Sequence, residues 1–198
     1  MRGRMILAAA ALCAMAPGLL QAAPWEFDAD HTGVHFKVRH LMISSVRGEF
    51  EKVSGKIVYD EADVTKSSAD IMIDAGSINT RVAKRDDHLR SPDFLDVAKY
   101  PKITFKSMRV ERAANGLLKM TGDLTIRGVT KEVALTIGGP TPAVKDPGGN
   151  LRVGGQATTT INRKDFGLVW NKAMETGGVV VGDEVEITID VEIYRKPA

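Results

Sequence analysis

Apolar side chains recur at every second position in one stretch of the chain after another. Val34, Phe36 and Val38 alternate with His35, Lys37 and Arg39, and Ala69, Ile71, Ile73 and Ala75 alternate with Asp70, Met72 and Asp74. A period of two is that of half-buried strands, with one face dry and the other wet. The beat returns at Ile103 and Phe105, at Leu118, Met120, Leu124 and Ile126, at Val133, Leu135 and Ile137, and from Val185 to Ile193. Weaker versions run from Phe50 to Tyr59 and from Val153 to Ile161. Together these predict eight strands and an all-β fold. Asn115-Gly116 carries the type I′ turn signal and Arg127-Gly128 reads as a second tight hairpin, so neighbouring strands pair antiparallel.

Alternation alone does not separate a closed barrel from a sandwich. Gly48, Gly55, Gly122 and Gly154 interrupt strand patterns at points suited to a sharp bend or a close backbone approach, which favours a barrel; as hairpin-end glycines they would favour neither. Two segments lack the beat. Arg81 to Arg90 reads as a helix of about three turns stopped before Pro92, and Gly138 to Gly149 is loop chemistry throughout.

The N-terminus has a different character. Arg2 and Arg4 precede an apolar run from Met5 to Ala16, then Pro17-Gly18 and small residues to Ala22. This is the pattern of a secretory signal peptide, too short to span a bilayer as a helix. It predicts a leader at 1–22, a mature domain at 23–198, export, and no stable membrane insertion. The single cysteine, Cys13, falls in the leader, so the mature domain has no thiol for a disulfide, a metal or catalysis. Removing Arg2 and Arg4 from 27 basic residues leaves 25 against 25 acidic ones, interspersed along the chain. That balance argues against nucleic acid, which needs a clustered basic excess.

Candidate polar chemistry is sparse. On a helix Arg81, Lys84, Arg85 and His88 form one basic stripe, either an electropositive rim for an acidic head group or a solvated face neutralised by Asp86 and Asp87. His31, His35 and His40 do not make a metal site. On a strand the first two lie roughly 13 Å apart and the third points the other way. The serines lack a Gly-x-Ser-x-Gly elbow, and the paired acids Asp28/Asp30 and Asp86/Asp87 suit turns and helix ends. No catalytic residue, metal or cofactor is expected.

The blocks DADHTGVHFKVRHL (28–41), VRGEF (46–50), SINTRVAKRDDHLRSPDFLD (77–96), YPKITF (100–105), GDLTIRGVTKEV (122–133) and INRKDFGL (161–168) resemble, in order and spacing, the YceI-like family. The resemblance covers nearly all of the mature chain. It implies an eight-stranded, lipocalin-like barrel with a flanking helix, exported to the periplasm, which binds a long polyisoprenoid such as a prenyl diphosphate or a quinone-type lipid. Some relatives respond to stress, and no metal or catalytic residue comes with the family. On that reading the lumen wall is Val34, Phe36, Val38, Ile71, Ile73, Ile103, Phe105, Leu124, Ile126, Val133, Leu135, Ile187 and Ile189, with Trp170 and Trp25 as plugs or rim contacts. Arg81, Arg85, His88 and Arg163 are the head-group candidates. A monomer or a homodimer fits. The rival expectation is a barrel with a filled core that recognises a protein partner.

Overall fold

The computed structural model describes residues 24–174 and 177–197, so the leader and its cleavage point lie outside the described residues. Twelve strand segments form one antiparallel sheet: β1 (Glu26–Phe27), β2 (Gly33–His40), β3 (Ser44–Phe50), β4 (Val53–Val58), β5 (Ser68–Asp74), β6 (Ile78–Asn79), β7 (Lys102–Arg112), β8 (Leu118–Ile126), β9 (Val129–Gly138), β10 (Val144–Lys145), β11 (Leu151–Asn162) and β12 (Val181–Arg195). Their order is β4-β5-β7-β8-β9-β11-β12-β2-β3-β6. Each of the eight expected strands is there, as β2, β4, β5, β7, β8, β9, β11 and β12, and β3 is a further long strand that the alternation did not single out. β1, β6 and β10 are two-residue additions, the last inside the segment read as loop.

A bend between β3 and β4 makes the sheet curl onto itself. β3 pairs with β2 on one side and β6 on the other, while β4 pairs with β5. One bent chain therefore serves both ends of the strand order. Ser77 pins the corner: its carbonyl accepts from the Glu51 amide at 3.2 Å and its hydroxyl from the Lys52 amide at 3.1 Å. The Asp74 amide donates to the Lys52 carbonyl at 3.0 Å. These bonds satisfy backbone groups that a sharp corner would otherwise bury unpaired.

Both expected hairpin turns form, with Asn115 and Gly116, and Arg127 and Gly128, at positive φ. Three of the four strand glycines mark close approach. A Cβ on Gly48 would lie 2.4 Å from Phe36 Cζ, on Gly55 2.5 Å from the Asp70 carbonyl oxygen, and on Gly122 2.5 Å from the Lys106 carbonyl oxygen. Gly154 has only ordinary contact distances. Gly122→Ala should accordingly cost about 1–3 kcal/mol through overpacking against Phe105 and the β7 backbone, read as a shift in the urea midpoint. An unchanged midpoint would remove the tight approach from the account.

The helix is shorter than its sequence suggested. α1 spans Ala83–Arg90, eight residues, because Arg81 takes a left-handed φ of 67° and Val82 is extended. The basic stripe is broken at its first member: Arg81 stands outside the helix, its backbone amide held by Asn79 Oδ1. Leu89 faces the barrel, and the following turn carries buried Phe94 and Leu95 to the same end.

Candidate functional site

The inward faces of the strands enclose an apolar cavity of about 330 Å³ that runs the length of the barrel. That volume lies within the roughly 300–1,000 Å³ typical of small-molecule sites. The strand register accounts for its lining. Ile71 opposes Phe105, which opposes Leu124, so successive strands deliver the same apolar phase to one side. All thirteen aliphatic and aromatic strand residues expected on the wall, from Val34 to Ile189, face this cavity.

One expected member does not. Trp170 packs outside the lining, its ring 4.8 Å from His88 and 5.2 Å from Phe94. It follows β11 and its 3-10 turn (Arg163–Phe166) in an irregular segment, where no strand phase aims it inward. Trp25 also stands off the lining, stacked edge-on against Tyr59 and beneath the Arg195 guanidinium. Residues that alternation did not single out do contribute. Leu89, Phe94, Leu95, Phe166 and Leu168 cover the α1 end, and Phe27, Tyr59 and Val64 reach the cavity toward the other. The segments after α1 and after β11 have no two-residue period; the only signal available was the apolar content of SPDFLD and KDFGL.

The four head-group candidates are differently placed. Arg163 is 4% exposed and all five of its N–H groups have protein partners. Nε donates to Gly182 O at 2.8 Å, Nη1 to Leu168 O and, at 3.0 Å, to Trp170 O, and Nη2 to Val181 O and Asp183 Oδ1 at 3.4 and 3.3 Å. It staples β12 to the 163–170 turn and has no donor left for a ligand. Burial lowers its pKa from the ordinary guanidinium value. Arg85 binds Thr80 through Nε at 2.7 Å and Nη2 at 2.8 Å. His88 Nε2 is 2.8 Å from Asp93 Oδ2, with the imidazole edge-on to Phe94 and Trp170. Of the four, Arg81 alone is exposed and makes no side-chain hydrogen bond to a described residue. Within the stripe Arg85 and His88 are thus local tethers, while Arg81 and Lys84 stand exposed.

A charged network ties the opposite end. Arg152 reaches Asp146 at 2.7 Å, Asp28 at 2.6 Å and Glu192, and Asp28 also takes the His31 ring at 2.9 Å. Asp28, His31 and Glu192 offer ligand atoms within 4.8 Å of one another, but the guanidinium already occupies their midst. Hydrogen bonds from Asn150 and Arg152 hold the Asp146 carboxyl far below its usual range. Burial pushes Asp28 up, yet bonds from Arg152 and His31 outweigh it and leave its pKa lowered. A carboxylate depressed in the folded state contributes stability above its unfolded pKa and loses it as pH falls through the folded value. Stability should thus drop as pH falls from about 4, and Arg152→Gln should flatten that slope in urea titrations. A variant with the parental slope would exclude the network as its source.

This lumen can withdraw a flexible apolar chain from water. Each five-carbon branched unit buried there gains about 3–4 kcal/mol gross, so a few units exceed an association cost of roughly 4–15 kcal/mol.

The model of the YceI-like domain matches residues 25–193. A UPF0312 protein of Vibrio cholerae is 40% identical over 157 residues, covering 77% of this chain and 81% of its own. The crystal structure of the Campylobacter jejuni YCEI protein superimposes with a TM-score of 0.67 at 34% identity, covering 81% of this chain and 91% of that one. A polyisoprenoid binding domain from Saccharophagus degradans shares the fold, with a TM-score of 0.60 at 17% identity over 88% of this chain and 99% of that one. Family match, relatives and the curled antiparallel sheet around an apolar lumen agree, and this chain belongs to the YceI-like domain family.

Proposed function

We propose that the protein is a carrier or sequestering protein that holds one long isoprenoid lipid in its lumen, without chemical turnover, in the periplasm. The single observation that carries this reading is the continuous apolar cavity of about 330 Å³ along the barrel axis. The Saccharophagus degradans domain of the same fold, described as polyisoprenoid-binding, supports the ligand class. The leader pattern at 1–22 supports export.

Titration with a long-chain prenol tests the lumen. Saturable one-to-one uptake, with the lipid recovered chemically unchanged, is expected. No uptake would favour the filled-barrel, partner-binding alternative. Because Arg85, His88 and Arg163 are committed to protein partners, the head group is left to solvent. A prenyl diphosphate and its prenol should therefore keep the same affinity ratio in an Arg85→Ala/His88→Ala variant as in the parent. A loss confined to the diphosphate would reinstate the stripe as its site.

A further inference from the structure

The two ends of the barrel are closed by different means. At the α1 end arginines bond main-chain carbonyls. Besides Arg163, Arg127 donates to Gly167 O at 2.7 Å and to Pro92 O at 2.8 Å, and Arg90 donates to Gly76 O at 2.8 Å and to Ile78 O at 2.7 Å. Opening that end would break several charge-assisted bonds and uncover an apolar cap at the same time.

The opposite end has a seam. Past the corner at 51–52 the chain leaves β2, and β4 comes alongside β1, which itself pairs with β12. Among the described residues no backbone hydrogen bond joins β4 to β1 or β12. Side chains span the seam instead. Trp25 Nε1 donates to Glu61 Oε1 at 3.1 Å, and Arg195 Nη1 donates to the same oxygen. The Arg195 guanidinium lies 4.7 Å over the Trp25 ring, and that ring meets Tyr59 edge-on at 5.6 Å. The Glu61 side chain is 51% exposed. Ion pairs and cation–π contacts at a wet surface are weak, so this seam opens more easily than the α1 end. It also leads straight into the cavity, because Phe27 of β1 and Ile57 of β4 both line the lumen. β1 stays on β12 when the seam parts, since Tyr194 Oη and Lys196 Nζ bond Glu26 at 2.6 and 2.9 Å.

We infer that the lipid enters and leaves sideways through the seam between β4 and β1, and that Trp25, Glu61 and Arg195 form its latch. This rests on the lumen reading. The test times uptake and release by stopped-flow fluorescence, with a long-chain prenol tagged at its head by an anthraniloyl group and phosphatidylcholine vesicles as the acceptor. Trp25→Ala and Glu61→Ala should each raise both rates at least about tenfold while their ratio, the affinity, stays within about threefold. A gate lowers one barrier for both directions. Arg127→Met, at the α1 end, should exchange at the parental rate. Residues 23–198 contain no cysteine, so Trp25→Cys/Glu61→Cys joined by a short bismaleimide can lock the seam. The locked protein should exchange at least about tenfold more slowly than the parent. Parental rates in both single variants, or a locked protein that exchanges as the parent does, would overturn the portal. So would faster release matched by an equal loss of affinity, which marks a ligand contact, or faster exchange in Arg127→Met than in Trp25→Ala. No uptake by the parent would sink the lumen reading and the portal with it, whereas uptake at rates indifferent to the latch would sink the portal alone.

Discussion

Ala157→Phe should lower affinity for a long-chain prenol at least 100-fold while leaving the melting temperature at or above that of the parent. Ala157 is 6% exposed and faces the lumen from β11, flanked in register by Ile137 and Ile189. A phenyl ring needs a void on the order of 150 Å³, a large part of the cavity of about 330 Å³. The ring displaces at least one isoprene unit, whose burial is worth about 3–4 kcal/mol, against roughly 1.4 kcal/mol for each factor of ten in affinity. Filling a void also adds protein contacts, so the fold should gain or hold stability. Calorimetric titration and a thermal melt read both arms. Undiminished affinity in a folded variant would place the lipid elsewhere. Ile189→Phe from the adjacent strand provides the same test should overpacking at 157 unfold the chain.

Arg163→Met should destabilise the protein by about 3–5 kcal/mol, the range for breaking a buried, fully bonded charge, and lower Tm by roughly 6–20 °C. The substitution keeps an apolar stem but orphans the carbonyls of Leu168, Trp170 and Gly182, which Arg163 now satisfies. Buried unpaired carbonyls cost about 1–3 kcal/mol each. Arg163→Lys should recover only part of the loss, since an ammonium cannot reproduce the planar fork that spans β12 and the 163–170 turn. A cost below about 1 kcal/mol in Arg163→Met, measured by urea unfolding, would show that the staple does not hold the end of the barrel.

The wall of the lumen was legible because strand phase is a local property. Ile71, Phe105 and Leu124 alternate with polar neighbours in their own segments, and register then brings them together. β3 was harder to see because the inward position between Val46 and Phe50 is Gly48, which gives the alternation a gap. That glycine is required by the third dimension, since the Phe36 ring fills the place of its side chain. The α1 end was unreadable for a related reason. Phe94, Leu95 and Phe166 reach the cavity from turns without a period, and Trp170, equally apolar, turns aside to pack on His88. Arg81 sat in the helical pattern, but its left-handed backbone starts the helix two residues later. The rim network joins Asp28 to Arg152, 124 positions apart, and no spacing rule connects them.

Native mass spectrometry of the protein purified from the exported fraction, before and after organic extraction, tests the lipid-carrier reading most directly. A mature chain beginning at Ala23 with one bound species, released on extraction and fragmenting in repeating isoprene units, is the predicted result. A bare mature mass that takes up no added prenyl lipid would contradict it.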